Sequence, residues 1–264
     1  MVGKMTNYVA KKKYGQNFLK DKSVLIKIID NVKIDEDDLI IEIGPGQGAL
    51  TKYLKLFKAN LVCYEIDNDL TKYLNSFIDE KTKIIYKDFL ESDVLNDIRD
   101  IKYNNLYIIA NLPYYITTPI IDKIINSNIN PRECVFMVQD EVANRLCSKK
   151  GNKDYGYISV ILDYYFVREK LFVVNRKSFD PIPNVDSAVI KFTKRDSLLE
   201  LNDYSKFERL VHDAFHMKRK NLKNNLKGYD LDILNRVLDK YGYSLQDRAE
   251  NIDINCFIEM ANTI

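Results

Sequence analysis

The chain has four cysteines, Cys63, Cys134, Cys147 and Cys256, and they form neither a CxxC pair nor a tight cluster. That spacing argues against a zinc ribbon and a disulfide framework, and it suits a reducing compartment. No run approaches the roughly 20 apolar residues that a membrane helix needs. The charged N-terminus is not followed by the apolar stretch of a secretory signal, and its first ten residues hold no arginine for an organelle address. A soluble, cytoplasmic protein that does not engage membranes is therefore expected. An excess of one charge is also missing: 40 Lys and Arg face 38 Asp and Glu, for a net charge of +2. A uniformly basic nucleic-acid coat is thereby excluded, so any basic surface must be local. There is no internal repeat and no low-complexity tract.

With 46% apolar and 30% charged residues, the 264-residue chain can bury a sizeable core. It has room for one large domain and a small one. Positive charge gathers in two places. Residues 1–20 carry Lys4, Lys11, Lys12, Lys13 and Lys20, and residues 216–228 carry Lys218, Arg219, Lys220, Lys223 and Lys227, with no acid in either stretch.

Short apolar runs at 39–43, 61–65, 83–86, 106–110 and 134–139 alternate with segments long enough for helices, such as 48–57 and 69–78. This alternation predicts a parallel sheet covered on both faces, an α/β fold of the doubly wound kind. Runs at 171–174 and 188–193 flank a proline-containing loop and predict two further strands at one edge. Beyond residue 194 the period becomes helical. Phe207, Leu210, Val211, Ala214 and Phe215 share a face that Leu222 and Leu226 extend, and Leu231, Leu234, Val237, Leu238 and Tyr241 form another, stopped by Gly242. The predicted division is a catalytic domain over 1–194 and a small helical domain over 195–264.

The first strand runs into Gly44-Pro45-Gly46-Gln47-Gly48. Glycines at a strand end let the backbone turn sharply and approach a ligand. A dinucleotide fingerprint places its third glycine five positions after the first; here it comes after four. The tighter loop suits a ligand without a pyrophosphate, such as the amino-acid end of S-adenosylmethionine. Glu65 ends the second strand, where a carboxylate would accept ribose hydroxyls, and Asp88 follows the third, where it could take an adenine amine. An ordinary strand-to-helix turn with two solvated acids also satisfies the loop taken alone.

The fourth strand ends in Asn111-Leu112-Pro113-Tyr114. An exocyclic adenine amine is a poor nucleophile because its lone pair is delocalised into the ring. Acceptors at the Asn111 side chain and at a backbone carbonyl near Leu112 would favour a pyramidal nitrogen. Pro113 stiffens the turn, and Tyr114 offers a stacking face to an extruded base.

These blocks together resemble the ribosomal RNA adenine N6,N6-dimethyltransferase family, in its small-subunit branch. The resemblance covers nearly the whole chain: residues 12–19, 42–48, 111–119, 179–187, 215–220 and 248–251 in that order. It implies a Rossmann-like class I methyltransferase sheet, S-adenosylmethionine as cofactor, and two adjacent adenines in a hairpin loop near the 3′ end of small-subunit rRNA as substrate. By the same resemblance Asn17 and Leu19 touch the cofactor, Gly44 and Gly46 underlie its methionine part, Glu65 holds its ribose and Asp88 its adenine. Asn111 then bridges cofactor and target amine. The family's tail usually shows paired arginines where this chain has Lys218-Arg219, which keeps charge and gives up one bidentate fork.

Weaker signals follow. Phe179 precedes Pro181 and Pro183 and either presses on the base opposite Tyr114 or anchors the loop. Arg219, Lys223 and Lys227 recur every four residues, placing three cations on one helix face that, with Lys11, Lys12, Lys13, Lys218 and Lys220, could meet RNA phosphates or only solvent. His212 and His216 have the spacing of a zinc pair but no evident third ligand, so no metal is expected. The expected protein is a monomer acting on small-subunit rRNA within an immature 30S-type particle. A large-subunit rRNA adenine methyltransferase conferring antibiotic resistance is the nearest alternative, opposed by Thr117-Thr118-Pro119 and Arg248-Ala249-Glu250. A non-catalytic RNA-binding assembly factor is opposed by the intact Asn111, Pro113, Tyr114 and Glu65, and a nicotinamide oxidoreductase by the glycine spacing.

Overall fold

The structure, a computed structural model, describes residues 8–11, 14–197 and 200–264. Its strands are β1 (Phe18–Leu19), β2 (Leu39–Ile43), β3 (Asn60–Tyr64), β4 (Thr82–Ile85), β5 (Leu106–Asn111), β6 (Glu133–Gln139), β7 (Phe166–Val174), β8 (Phe179–Asp180) and β9 (Ser187–Lys194). Seven of them form one sheet in the order β4-β3-β2-β5-β6-β9-β7, while β1 and β8 pair antiparallel on their own. β4, β3, β2, β5 and β6 run parallel, with Ile43 of β2 opposite Tyr64 and Ala110. Every residue of β2 is buried, as a strand covered on both faces requires. The chain builds outward from β2 to β4 and then returns to β5 on the other side. The reversal leaves a crevice outside the carboxyl ends of β2 and β5, where ligands bind in such sheets.

The expected strands are present within one residue at most ends, but two expected helices are shorter. Residues 48–57 hold a helix only over Thr51–Leu54, which tightens into a 3₁₀ turn and stops at Lys58 with a left-handed φ of 58°. Over 69–78 the helix is confined to Thr71–Leu74 between two 3₁₀ turns.

Two compact units emerge. The first comprises residues up to Asp140 and Leu171–Lys191, and the second comprises Glu141–Lys170 and Phe192–Ile264. Residues 141–170, which the sequence reading put with the catalytic sheet, therefore group with the C-terminal helices. The reason is packing: helix Tyr157–Tyr165, with Val160, Ile161 and Leu162 buried, lies against helices Tyr204–Phe215 and Ile254–Thr263. In the same unit, Leu222 and Leu226 do not prolong helix Tyr204–Phe215. That helix ends at His216, Asn225 Nδ2 caps its Ala214 carbonyl at 2.6 Å, and Asn221 starts a separate helix over Leu222–Asn225. Leu222 and Leu226 are still fully buried, so the apolar period was real while the helix was not continuous. No helix among the described residues is long and apolar enough to cross a membrane.

Candidate functional site

A cavity of about 890 Å³ opens in the first unit at the carboxyl ends of the parallel strands. Asn17, Leu19, Gly44, Gly46, Glu65, Asp88, Asn111, Leu112, Pro113 and Tyr114 all line it, so ten residues singled out from the sequence converge on one place.

The glycine loop is built for close approach. Gly46 has a φ of +60°, and a Cβ there would come within 3.0 Å of the Phe18 ring. At Gly48, φ is +82° and a Cβ would sit 2.3 Å from Phe77 Cε2, a clash with a ring that cannot be relieved by a small shift. The Gly46 amide donates to Glu65 Oε2 at 3.0 Å, and the Asp67 amide donates to Oε1 at 2.9 Å. Glu65 is thus held in place at the cavity wall by two backbone amides. It is 4% exposed, and burial raises its pKa against the pull of those amides.

Asn111 is oriented by the N-terminal segment. Its Nδ2 donates to the Asn17 carbonyl at 3.2 Å, which leaves Oδ1 as an acceptor without a partner among the described residues. The Leu112 amide is tied to the Met137 carbonyl at 3.1 Å, fixing the turn at the strand end. The Tyr114 hydroxyl bonds the buried Ser187 hydroxyl at 2.7 Å, so the ring is pinned at its far end. Asp88 accepts from the Leu90 amide at 2.8 Å and caps the turn that follows β4.

The chemistry of this arrangement is one of positioning: an unpaired amide acceptor, an aromatic face and a buried carboxylate share a cavity with a close-approach glycine loop. A family model described as ribosomal RNA adenine dimethylase matches residues 7–264. The chain belongs to that family. A protein of Fusobacterium nucleatum subsp. nucleatum named ribosomal RNA small subunit methyltransferase A is 44% identical over 257 residues, covering 95% of this chain and 96% of the relative. Among solved structures, a dimethyladenosine transferase from Plasmodium falciparum superposes with a TM-score of 0.77 at 25% identity, over 92% of this chain and 95% of that one. The 23S rRNA methyltransferase ErmE superposes with a TM-score of 0.74 at 22% identity, over 94% and 99% of the two chains, and shows the fold alone.

Within this adenine dimethylase the structure corrects several sequence readings. Phe179 does not face the cavity. It pairs with Leu19 between β1 and β8, is 3% exposed, and sits in the hydrophobic core with Leu19 and Val174. Alternation along β8 turns Phe179 inward and Asp180 outward, so Phe179 anchors the loop and offers no ring to a base. Lys11 is engaged within the chain: its Nζ lies 2.6 Å from Asp67 Oδ1 and 2.5 Å from Asp69 Oδ2. Lys12 and Lys13 lie outside the described residues. Arg219, Lys223 and Lys227 do not share a helix face, because only Lys223 is helical and the others occupy the turns on either side. They are nonetheless exposed, as are Lys218 and Lys220, and none of the five forms an ion pair among the described residues. His212 contacts Asp213 Oδ1 at 3.3 Å, and the His212 and His216 rings lie 6.3 Å apart.

Two features of the site went unread in the sequence. Glu42, the penultimate residue of β2, is 2% exposed and lines the cavity. It accepts from Thr51 Oγ1 at 2.7 Å, and burial pushes its pKa to about 7, helped by the nearby Glu65 charge. The other feature is a hub at Asp67, 2% exposed, which bonds the Tyr8 hydroxyl, Lys11 Nζ and Gln16 Nε2 and so holds these three residues at the cavity. Although burial opposes it, bonding to Lys11 and Tyr8 holds the Asp67 carboxyl at about 2.

Proposed function

We propose that this chain dimethylates the N6 amines of two adjacent adenines in a hairpin loop near the 3′ end of small-subunit rRNA, using S-adenosylmethionine and acting as a cytoplasmic monomer on an immature small subunit. The observation that carries the reading is the fixed amide of Asn111, with its donor bound to the Asn17 carbonyl and its acceptor left over in the cavity.

The residues fit the cofactor. A loop that turns at positive φ at Gly44 and Gly46 and a buried carboxylate at Glu65, fixed by two amides, suit a methionine backbone and a ribose diol. Asn17, Leu19, Gly44 and Asp88 complete that wall. When bound, S-adenosylmethionine supplies a methyl group already activated on a sulfonium. The chain then has to place and orient the acceptor, which alone can contribute several kcal/mol of the barrier. Asn111 Oδ1 accepts from the adenine amine and turns its lone pair toward the methyl, assisted by the Leu112 backbone. Tyr114 holds the extruded base by its ring face, with its hydroxyl fixed on Ser187. The first unit carries this chemistry. The second supplies exposed cations at Lys218, Arg219, Lys220, Lys223 and Lys227 for the RNA backbone.

Single-turnover methylation of small subunits lacking the modification tests the reading. Asn111→Ala should lower the rate on the order of a hundredfold while leaving cofactor affinity within a few-fold, because the bond is realised fully only as the methyl moves. Tyr114→Ala should cost roughly ten- to a hundredfold, a stacking energy of about 1–3 kcal/mol. Tyr114→Phe should cost less, since it loses one hydroxyl bond and keeps the ring. Asn111→Ala at the parental rate would overturn the mechanism.

A further inference from the structure

The second unit contains a concavity of about 810 Å³ that the methyl-transfer reading does not use. It is lined by the loop after helix Asp140–Leu146 and by Lys170 of β7. We propose that this concavity binds a phosphodiester of the RNA backbone, a contact that rests on the RNA-methylation reading and adds a second place where the chain grips its substrate.

Charge is the first argument. Lys149, Lys150, Lys153 and Lys170 surround the concavity and Asp154 is the single carboxylate among its lining residues, a local excess of three positive charges in a chain whose net charge is +2. Like charges gathered around one hollow repel unless an anion enters. Two of the lysines are fixed by neighbours: Lys150 Nζ bonds the Tyr243 hydroxyl at 2.8 Å and Asp253 Oδ2 at 3.3 Å, and Lys170 Nζ bonds Asn144 Oδ1 at 2.8 Å. Lys149 and Lys153 are exposed and have no partner among the described residues. Half of the cationic wall is therefore held in place and half is free to close on a ligand.

The floor is the second argument. Ser148 lines the concavity, is only 5% exposed, and its hydroxyl has no hydrogen-bond partner among the described residues. A buried hydroxyl left unpaired costs about 1–3 kcal/mol, so such groups ordinarily meet a partner. The loop itself is tied down, because the Gly151 amide donates to the Glu250 carbonyl at 2.7 Å. The lining offers no apolar platform for a protein side chain; Cys147 is its least polar member, and burial pushes that thiol up to about 11, keeping it protonated. Ammonium groups gathered around one open hollow match phosphate oxygens, and lysines make such contacts as point charges without regard to base sequence.

The test uses the full chain and unmodified small subunits as probe, with affinity measured across a potassium chloride series. Lys149→Gln combined with Lys153→Gln should weaken binding roughly tenfold at low salt and flatten the slope of log affinity against log salt by about one to two, the yield of one or two phosphate contacts. Lys149→Arg with Lys153→Arg should restore the slope. Cofactor affinity of each variant serves as the folding control. A slope unchanged by the glutamine pair, in a parent that binds and methylates the particle, would overturn this site alone. A parent that neither binds nor methylates small subunits would overturn the methylation reading and this site together.

Discussion

Glu42 is the residue whose chemistry is most at odds with its surroundings: a carboxyl with one hydroxyl and one thiol for partners, in a strand where every position is buried. Its pKa moves from an ordinary 4.5 to about 7, chiefly because burial disfavours the charge. Between those values the folded chain holds a proton that the unfolded chain has released, so stability falls as pH rises. The contribution is fully present below about 4.5 and is lost as pH climbs through 7. Glu42→Gln keeps an acceptor for Thr51 and removes the titration. In urea denaturation without ligand, the stability of this variant relative to the parent should grow between pH 5 and pH 7.5, by on the order of 2–3 kcal/mol. A difference that does not vary with pH would mean Glu42 is ionised throughout. Nothing in the letter at position 42 announces this. A carboxylate inside an apolar run looks the same whether it meets solvent or a hydroxyl from residue 51. The same ambiguity hid the role of Phe179, where an aromatic before a proline fits an exposed face and a buried anchor equally well.

Among the elements, those legible in the sequence are the ones whose signal is local. β2 and β5 are apolar runs interrupted only at Glu42 and closed by Asn111, and the glycine loop declares itself by three glycines within five residues directly after β2. Helix Leu231–Lys240 shows its buried face at Leu234, Val237 and Leu238, as its period requires. The failures are long-range. The turn that separates helix Tyr204–Phe215 from Leu222–Asn225 depends on Asn225 reaching back to Ala214, and apolar spacing alone carries no trace of it. The hub at the cavity depends on Tyr8, Lys11 and Gln16 meeting Asp67, more than fifty residues away. Asp67→Asn should loosen this hub, since the amide loses the charge that holds Lys11. Hydrogen exchange at the Lys11 and Tyr14 amides, which donate to Gln16 Oε1 and the Lys11 carbonyl, should then quicken by tenfold or more, at about 1.4 kcal/mol per decade. Unchanged protection at both amides would show that the segment is held by β1 alone.

At the scale of the whole molecule, every residue lining the larger cavity lies in the first unit, while the second has a core of its own around Phe207, Leu210, Leu234 and Phe257. Leu234 is fully buried, so Leu234→Ala should remove about 2–5 kcal/mol from the second unit. The melting temperature should fall, whereas S-adenosylmethionine affinity at 20 °C, read by calorimetry, should stay near the parental value. Equal losses in both would mean the units share one cooperative transition. The chain enters the second unit at Glu141, leaves it at Leu171 and returns at Phe192. During synthesis, then, helix Tyr157–Tyr165 leaves the ribosome with its apolar residues Val160, Ile161 and Leu162 ready, but its partners Tyr204–Phe215 and Ile254–Thr263 are still to be translated. At the 5–20 residues per second of translation, that helix waits several seconds before the last of its partners exists. A nascent chain of this enzyme has an interval in which that apolar helix has yet to meet the partners that bury it in the finished fold.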